Sequence, residues 1–234
     1  MTLKILCSTA FHAAMPEILE NFQQQTKMNC DVSFGTSVAI VEKCHQGEQA
    51  DLVILTQSGI DSLLNQQFLQ TDHLTVFTKT GVGIAALSNN PAYDISNKEN
   101  FINTILRCQS ISFTKHGASG MFFARLIKQL GIEEQIRPKA LIPEGGLVGE
   151  LVKSGQVELG VQLVSEILAV KGITLLGFIP EELQEWSSFS IAKTKHSLTK
   201  EADLLIDLLK TSQIQTRLPS YGFISEAKIS SVQD

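Results

Sequence analysis

The sequence predicts an α/β fold in two lobes joined by strands, on three observations. Short apolar runs of strand character alternate with helical periodicity almost from end to end, which implies parallel strands linked by helical crossovers. Leu52 to Leu55 is continuously apolar, as a strand covered on both faces must be. No low-complexity linker and no internal repeat divides the chain, so two lobes have to be joined by strands rather than by a tether.

In order, Leu3 to Leu6 reads as a strand, and Ala14, Ile18, Leu19 and Phe22 then share one helical face. Asp31 to Phe34 is the next strand, with a helix from Gly35-Thr36-Ser37 to about Cys44, and the strand at 51–55 closes a βαβαβ unit. Leu74 to Phe77 and Val82 to Leu87 read as two strands with Lys79-Thr80-Gly81 as the turn. A helix at 101–107 leads to a strand at 110–113, and the glycine-broken loop 115–120 opens a helix from Met121 to Leu130. Strands are expected at 139–142 and 157–161, with Gly145-Gly146 opening the helix between them, and at 173–176 and 189–192. A helix over 200–210 and a tail ending near Tyr221-Gly222-Phe223 complete the chain. The lobes are expected at 1–79 plus 194–234 and at 80–193.

Composition excludes several function classes. The 234 residues carry 19 Lys and Arg against 24 Asp and Glu, a net charge of −5, with 43% hydrophobic and 18% charged residues. That lies far from the regime of disordered chains. No run approaches the roughly 20 apolar residues of a spanning helix, and no Lys/Arg cluster offers a nucleic-acid surface. Neither a membrane nor a nucleic acid is an expected partner. Met1 to Cys7 holds one Lys and a few apolar residues, short of a secretory leader. The expectation is a cytoplasmic protein, or a periplasmic one if the chain is a processed form. Cys7, Cys30, Cys44 and Cys108 form no CxxC pair and have no metal-ligand spacing, so free thiols are expected and neither metal nor cofactor is.

Three loops rich in small and hydroxyl residues follow strands, where open α/β sheets bind ligands: Ser8-Thr9-Ala10, Gly35-Thr36-Ser37 and Gly117-Ala118-Ser119-Gly120. Each hydroxyl can simply cap a helix. Together with exposed backbone N–H groups at positive helix ends, they can also cage a small oxyanion or carboxylate. Neither a Walker A sequence nor GxGxxG is present, so nucleotides lack support.

The runs Gly47 to Leu55, Ala118 to Ala124, Leu159 to Glu166 and Tyr221 to Phe223, in this order after Gly35-Thr36-Ser37, resemble the molybdate-binding-protein-like family of bacterial solute-binding proteins. The resemblance implies the type II periplasmic-binding-protein fold, two α/β lobes closing on a ligand in the cleft between them. It places an oxyanion-binding serine at Ser37 and backbone donors at Ser119 and near Gly145, with Ala118, Gly120, Gly146 and Gln162 beside them. The family's first-loop serine falls at Ala10, with Ser8 and Thr9 adjacent, and its ligand tyrosine falls at Leu163. Missing donors to a charged group cost roughly 1.5–3 kcal/mol each, which counts against molybdate itself.

His12, Lys115, His116 and Glu144 lie near the same loops and suit a carboxylate ligand, although each also has an ordinary role as a loop or helix-start residue. In this respect the chain resembles the aconitate-isomerase-like members of the family. That resemblance implies a cofactor-independent allylic proton shift on a tricarboxylate, with Lys115, His116 or Glu144 as the general base. The first reading is binding of a small anion. The isomerase is the alternative, and a ligand sensor that presents its closed state to a partner is a weaker third. A transporter partner is not expected without a leader.

Overall fold

The computed structural model describes residues 2–70, 74–87, 93–197 and 200–225; His73, which like His45 and His196 is not near the hydroxyl-rich loops in the sequence, lies outside them. The chain divides into two compact units, Met1–Lys79 with Ser187–Asp234, and Thr80–Trp186.

In the first unit β1 (Thr2–Ser8) passes through a 3-10 turn (Thr9–Phe11) into α1 (Met15–Thr26). β2 (Asn29–Gly35), α2 (Ser37–His45), β3 (Leu52–Thr56) and α3 (Gln57–Asn65) follow. β2, β1 and β3 are parallel, with Ser8 opposite Gly35 and Leu6 opposite Val53. Their carboxyl ends therefore bring the loops at 8–12 and 35–37 side by side.

The turn expected at Lys79-Thr80-Gly81 does not exist. One strand, β4 (Thr75–Leu87), runs through it. The glycines that suggested a turn serve close packing: a Cβ at Gly81 would lie 3.0 Å from Phe178 Cδ1, and one at Gly83 would lie 2.9 Å from the Gly177 carbonyl oxygen. Neither glycine takes a positive φ.

The second unit continues with α4 (Lys98–Arg107), β5 (Ile111–Ser112), α5 (Ala118–Gln129), α6 (Glu133–Ile136) and β6 (Ala140–Leu141). α7 (Val148–Lys153), β7 (Leu159–Leu163), α8 (Val164–Leu168) and β8 (Ile173–Phe178) complete it. β5 lies parallel between β6 and β7, whereas β4 runs antiparallel to β7 and β8. α5 starts three residues earlier than expected, so Ala118, Ser119 and Gly120 form its first turn rather than a loop. α7 starts only at Val148, and Gly145-Gly146 belongs to the loop before it, with Gly146 at φ +94°.

The chain returns to the first unit through β9 (Trp186–Lys193), α9 (Lys200–Lys210), α10 (Ser212–Gln215) and β10 (Ile224–Ser225). β9 pairs antiparallel with β3, and β10 with the start of β4. The core under the first loop is aromatic. Phe11 stacks on Phe223 (4.5 Å between centroids) and on Phe77 (5.4 Å), and meets the edge of Phe189 (5.2 Å). All four rings are buried, and each contributes about 1.5–3 kcal/mol by leaving water. Phe11 thereby anchors the turn that carries Ser8 to His12.

Candidate functional site

The first unit assembles a hydroxyl shelf at the ends of its parallel strands. Ser8 accepts the Ala10 N–H (3.4 Å), Thr36 accepts the Ala39 N–H (3.1 Å) and Ser37 accepts the Thr56 N–H (3.1 Å). Each oxygen is thus engaged as an acceptor while its own proton can still be donated. Thr9 and Ser37 are half-buried, and Ala10 is sunk in the core at 1% exposure. The exposed His12 ring packs on Phe34 at 5.0 Å. Two hydroxyls escaped the sequence reading: Thr56, which caps α3, and Ser58, 3.2 Å from it. Their signal is a Thr-Gln-Ser run directly after an apolar strand.

In the second unit the loops after β5 and β6 are brought together by the parallel register of those strands, Ser112 opposite Leu141. The Lys115 N–H donates to the Pro143 carbonyl (2.8 Å) and the His116 N–H to the Glu144 carbonyl (3.4 Å). The side chains then converge. Lys115 Nζ lies 3.0 Å from Glu144 Oε1, and His116 Nε2 lies 2.8 Å from Glu144 Oε2. The hydrogen bond from Lys115, aided by both neighbouring charges, holds the Glu144 carboxyl below its ordinary range.

Immediately after this cluster comes the N-terminus of α5, which has no side-chain cap. Its first-turn N–H groups at 118–120 keep their donors and the positive helix end. Ser119 is buried at 1% exposure, and Ala118 is half-buried. Gly120 packs so closely that a Cβ would lie 1.7 Å from the Thr114 carbonyl oxygen. Beneath this turn the buried Thr114 Oγ1 has no hydrogen-bond partner.

Gln162 serves the loop rather than facing outward. It is buried at 2% exposure, accepts the Val148 N–H (2.8 Å) and donates to the Gly146 carbonyl (2.8 Å). That clamp fixes Gly145 and Gly146. One turn on, Glu166 is buried and its carboxyl is pushed up to about 8 by burial, with bonds from the Leu163 N–H and the Gln162 side chain opposing the rise. Beyond Lys115 and Glu144, a groove of about 450 Å³ opens over Phe113, Ala124, Ile127 and Ile142, with the Arg137–Glu133 pair on its rim. Among the described residues, no three His, Cys, Asp or Glu side chains gather as metal ligands.

Residues 3–224 match the family described as bacterial extracellular solute-binding protein. The chain belongs to this family. Relatives of this solute-binding chain include the aconitate isomerase of a Pseudomonas species, 27% identical over 86% of this chain and 79% of the relative. The molybdate-binding protein ModA of Escherichia coli (strain K12) is 21% identical over 94% of this chain and 88% of its own length. The periplasmic molybdate-binding protein of Azotobacter vinelandii superposes with a TM-score of 0.80 at 16% identity, over 95% of this chain and 98% of that one. The chain therefore has the α/β fold of the two-lobe periplasmic binding proteins, as its sequence predicts. No helix of the described residues is long and apolar enough to cross a membrane.

Proposed function

We propose that this solute-binding-family chain binds a small anion, an oxyanion or a carboxylate. The observation that carries the reading is the uncapped first turn of α5, Ala118 to Gly120, directly after Lys115 and His116. Free amides at a positive helix end beside two cationic or donor side chains form an anion site without metal or nucleotide. The hydroxyl shelf of the first unit, Ser8, Thr9, Thr36 and Ser37, is by itself a separate set of neutral donors of the same kind. A thermal-shift panel of molybdate, tungstate, sulfate, citrate, cis-aconitate and trans-aconitate tests this. An anion at 100 times its Kd raises stability by about 2.7 kcal/mol. At least one of the six is expected to raise Tm, and a flat panel overturns the reading.

The 27% identical aconitate isomerase favours a second reading, a proton shift on a tricarboxylate. Of the three candidate bases, Glu144 is the weakest, because a carboxylate held below its ordinary range gives little driving force for proton abstraction. His116 or Lys115 would then be the base. Following cis- to trans-aconitate conversion by ultraviolet absorbance decides it, with His116→Ala and Lys115→Ala compared against the parent. Absence of turnover leaves binding alone.

A cytoplasmic location is part of this proposal. The four cysteines are all free, which suits a reducing compartment. Cell fractionation checks it: recovery with a periplasmic marker refutes the cytoplasmic assignment.

A further inference from the structure

Glu144 is held in a way that its role in the fold does not require. Both of its oxygens are occupied, each by a different donor from adjacent residues: Oε1 by Lys115 at 3.0 Å and Oε2 by His116 at 2.8 Å. Yet the three side chains stand 56%, 47% and 72% exposed for Lys115, His116 and Glu144. Exposed ion pairs contribute little to stability. The loops are already joined by two backbone hydrogen bonds, from 115 to 143 and from 116 to 144. The side-chain cluster is therefore free to open without unfolding anything.

What the cluster presents is two donors gripping one carboxylate through both oxygens, next to the free amides of α5. An incoming carboxylate would meet the same two donors in the same way. We propose that Lys115 and His116 are the carboxylate subsite of an organic-acid ligand, and that Glu144 occupies this subsite as an internal stand-in which the ligand displaces. The proposal rests on the anion-binding reading and narrows it to organic acids. The adjoining groove supports that narrowing. Its floor of Phe113, Ala124, Ile127 and Ile142 suits a carbon body, for which a bare oxyanion has no use. Glu144 is ionised at neutral pH, because Lys115 and His116 hold its proton affinity low, so the stand-in is a true carboxylate. Tethered by the backbone pairing of its loop, it competes at high local concentration.

The test is calorimetric titration of citrate, trans-aconitate and molybdate into the full chain and into Glu144→Gln, Glu144→Ala, Lys115→Ala and the Lys115→Ala/Glu144→Gln pair. Removing the competing charge is expected to tighten the organic acids by roughly twofold to fivefold, the range that an exposed pair can withhold. Lys115→Ala is expected to weaken them and to abolish the gain from Glu144→Gln. Binding that becomes measurable only in the Glu144 variants also supports the proposal. Binding that is unchanged or weaker in both Glu144 variants overturns the stand-in and leaves anion binding intact. Molybdate as the sole ligand overturns the organic-acid subsite alone. Silence from all three anions in every variant removes this proposal, and the anion-binding reading falls with it only if the six-anion thermal-shift panel is flat as well.

Discussion

Glu166 carries a proton that most glutamates release. Its ordinary value of 4.5 applies to the unfolded chain, while burial raises the folded value to about 8. Below 4.5 both states hold the proton, so the group is neutral to stability there. Between 4.5 and 8 the unfolded chain releases it and the folded chain does not, so folding loses stability as pH rises through this window and levels off above it. The loss is on the order of a few kcal/mol. Urea melts between pH 5 and 8.5 are expected to show this decline in the parent and a flatter profile in Glu166→Gln. Parallel profiles would remove Glu166 as the source. Nothing in the sequence marks this residue as protonated; it is the one acid in the run Leu163 to Leu168, beside Ser165 and four apolar residues. The clamp of Gln162 on Gly146 and Val148 was equally hidden, because which backbone groups an amide reaches depends on the tertiary path of a loop and not on its neighbours in the chain.

At the scale of elements, the first turn of α5 is the most tightly determined part of the candidate site. Substituting Gly120 by Ala drives a methyl group into the Thr114 carbonyl, which belongs to backbone and cannot swing aside. A loss of roughly 1–3 kcal/mol is expected, together with weaker anion binding. Gly131→Ala is the control: it stands in open space at φ +69°, so it is expected to cost about 1 kcal/mol and leave binding unchanged. Equal binding in the two variants would count against the α5 site. Strands and helices with strong apolar periodicity, β1, β3, α1, α4 and α9, were readable because burial on one or both faces writes that periodicity into the residues. β4 was misread as two strands because glycine marks both turns and close packing, and only the neighbours of Gly81 and Gly83 decide between them. α3 went unread because only Gly59, Ile60 and Leu63 are buried along it. The hydroxyl loops were legible as strand-end signals. The meeting of Lys115 and His116 with Glu144 was not, since it follows from the register of two short strands, β5 and β6.

For the molecule as a whole, the second unit is one continuous piece of chain and the first is not. Residues 80–186 contain their own sheet, from part of β4 through β7 and β5 to β6, and their own buried side chains such as Phe101, Phe123, Val152 and Val161. This fragment is expected to fold by itself, giving a cooperative melt and dispersed amide resonances. A fragment with helical circular dichroism but no cooperative transition would contradict that. The pairing of β3 with β9 has a consequence for synthesis. Leu52 waits for Lys193 before its outer edge is covered, so while the ribosome makes the intervening residues the nascent first unit displays an unpaired strand that is apolar from Leu52 to Leu55. The cell must carry that exposed edge past its neighbours on the same message, and the later unit is finished before the earlier one can close.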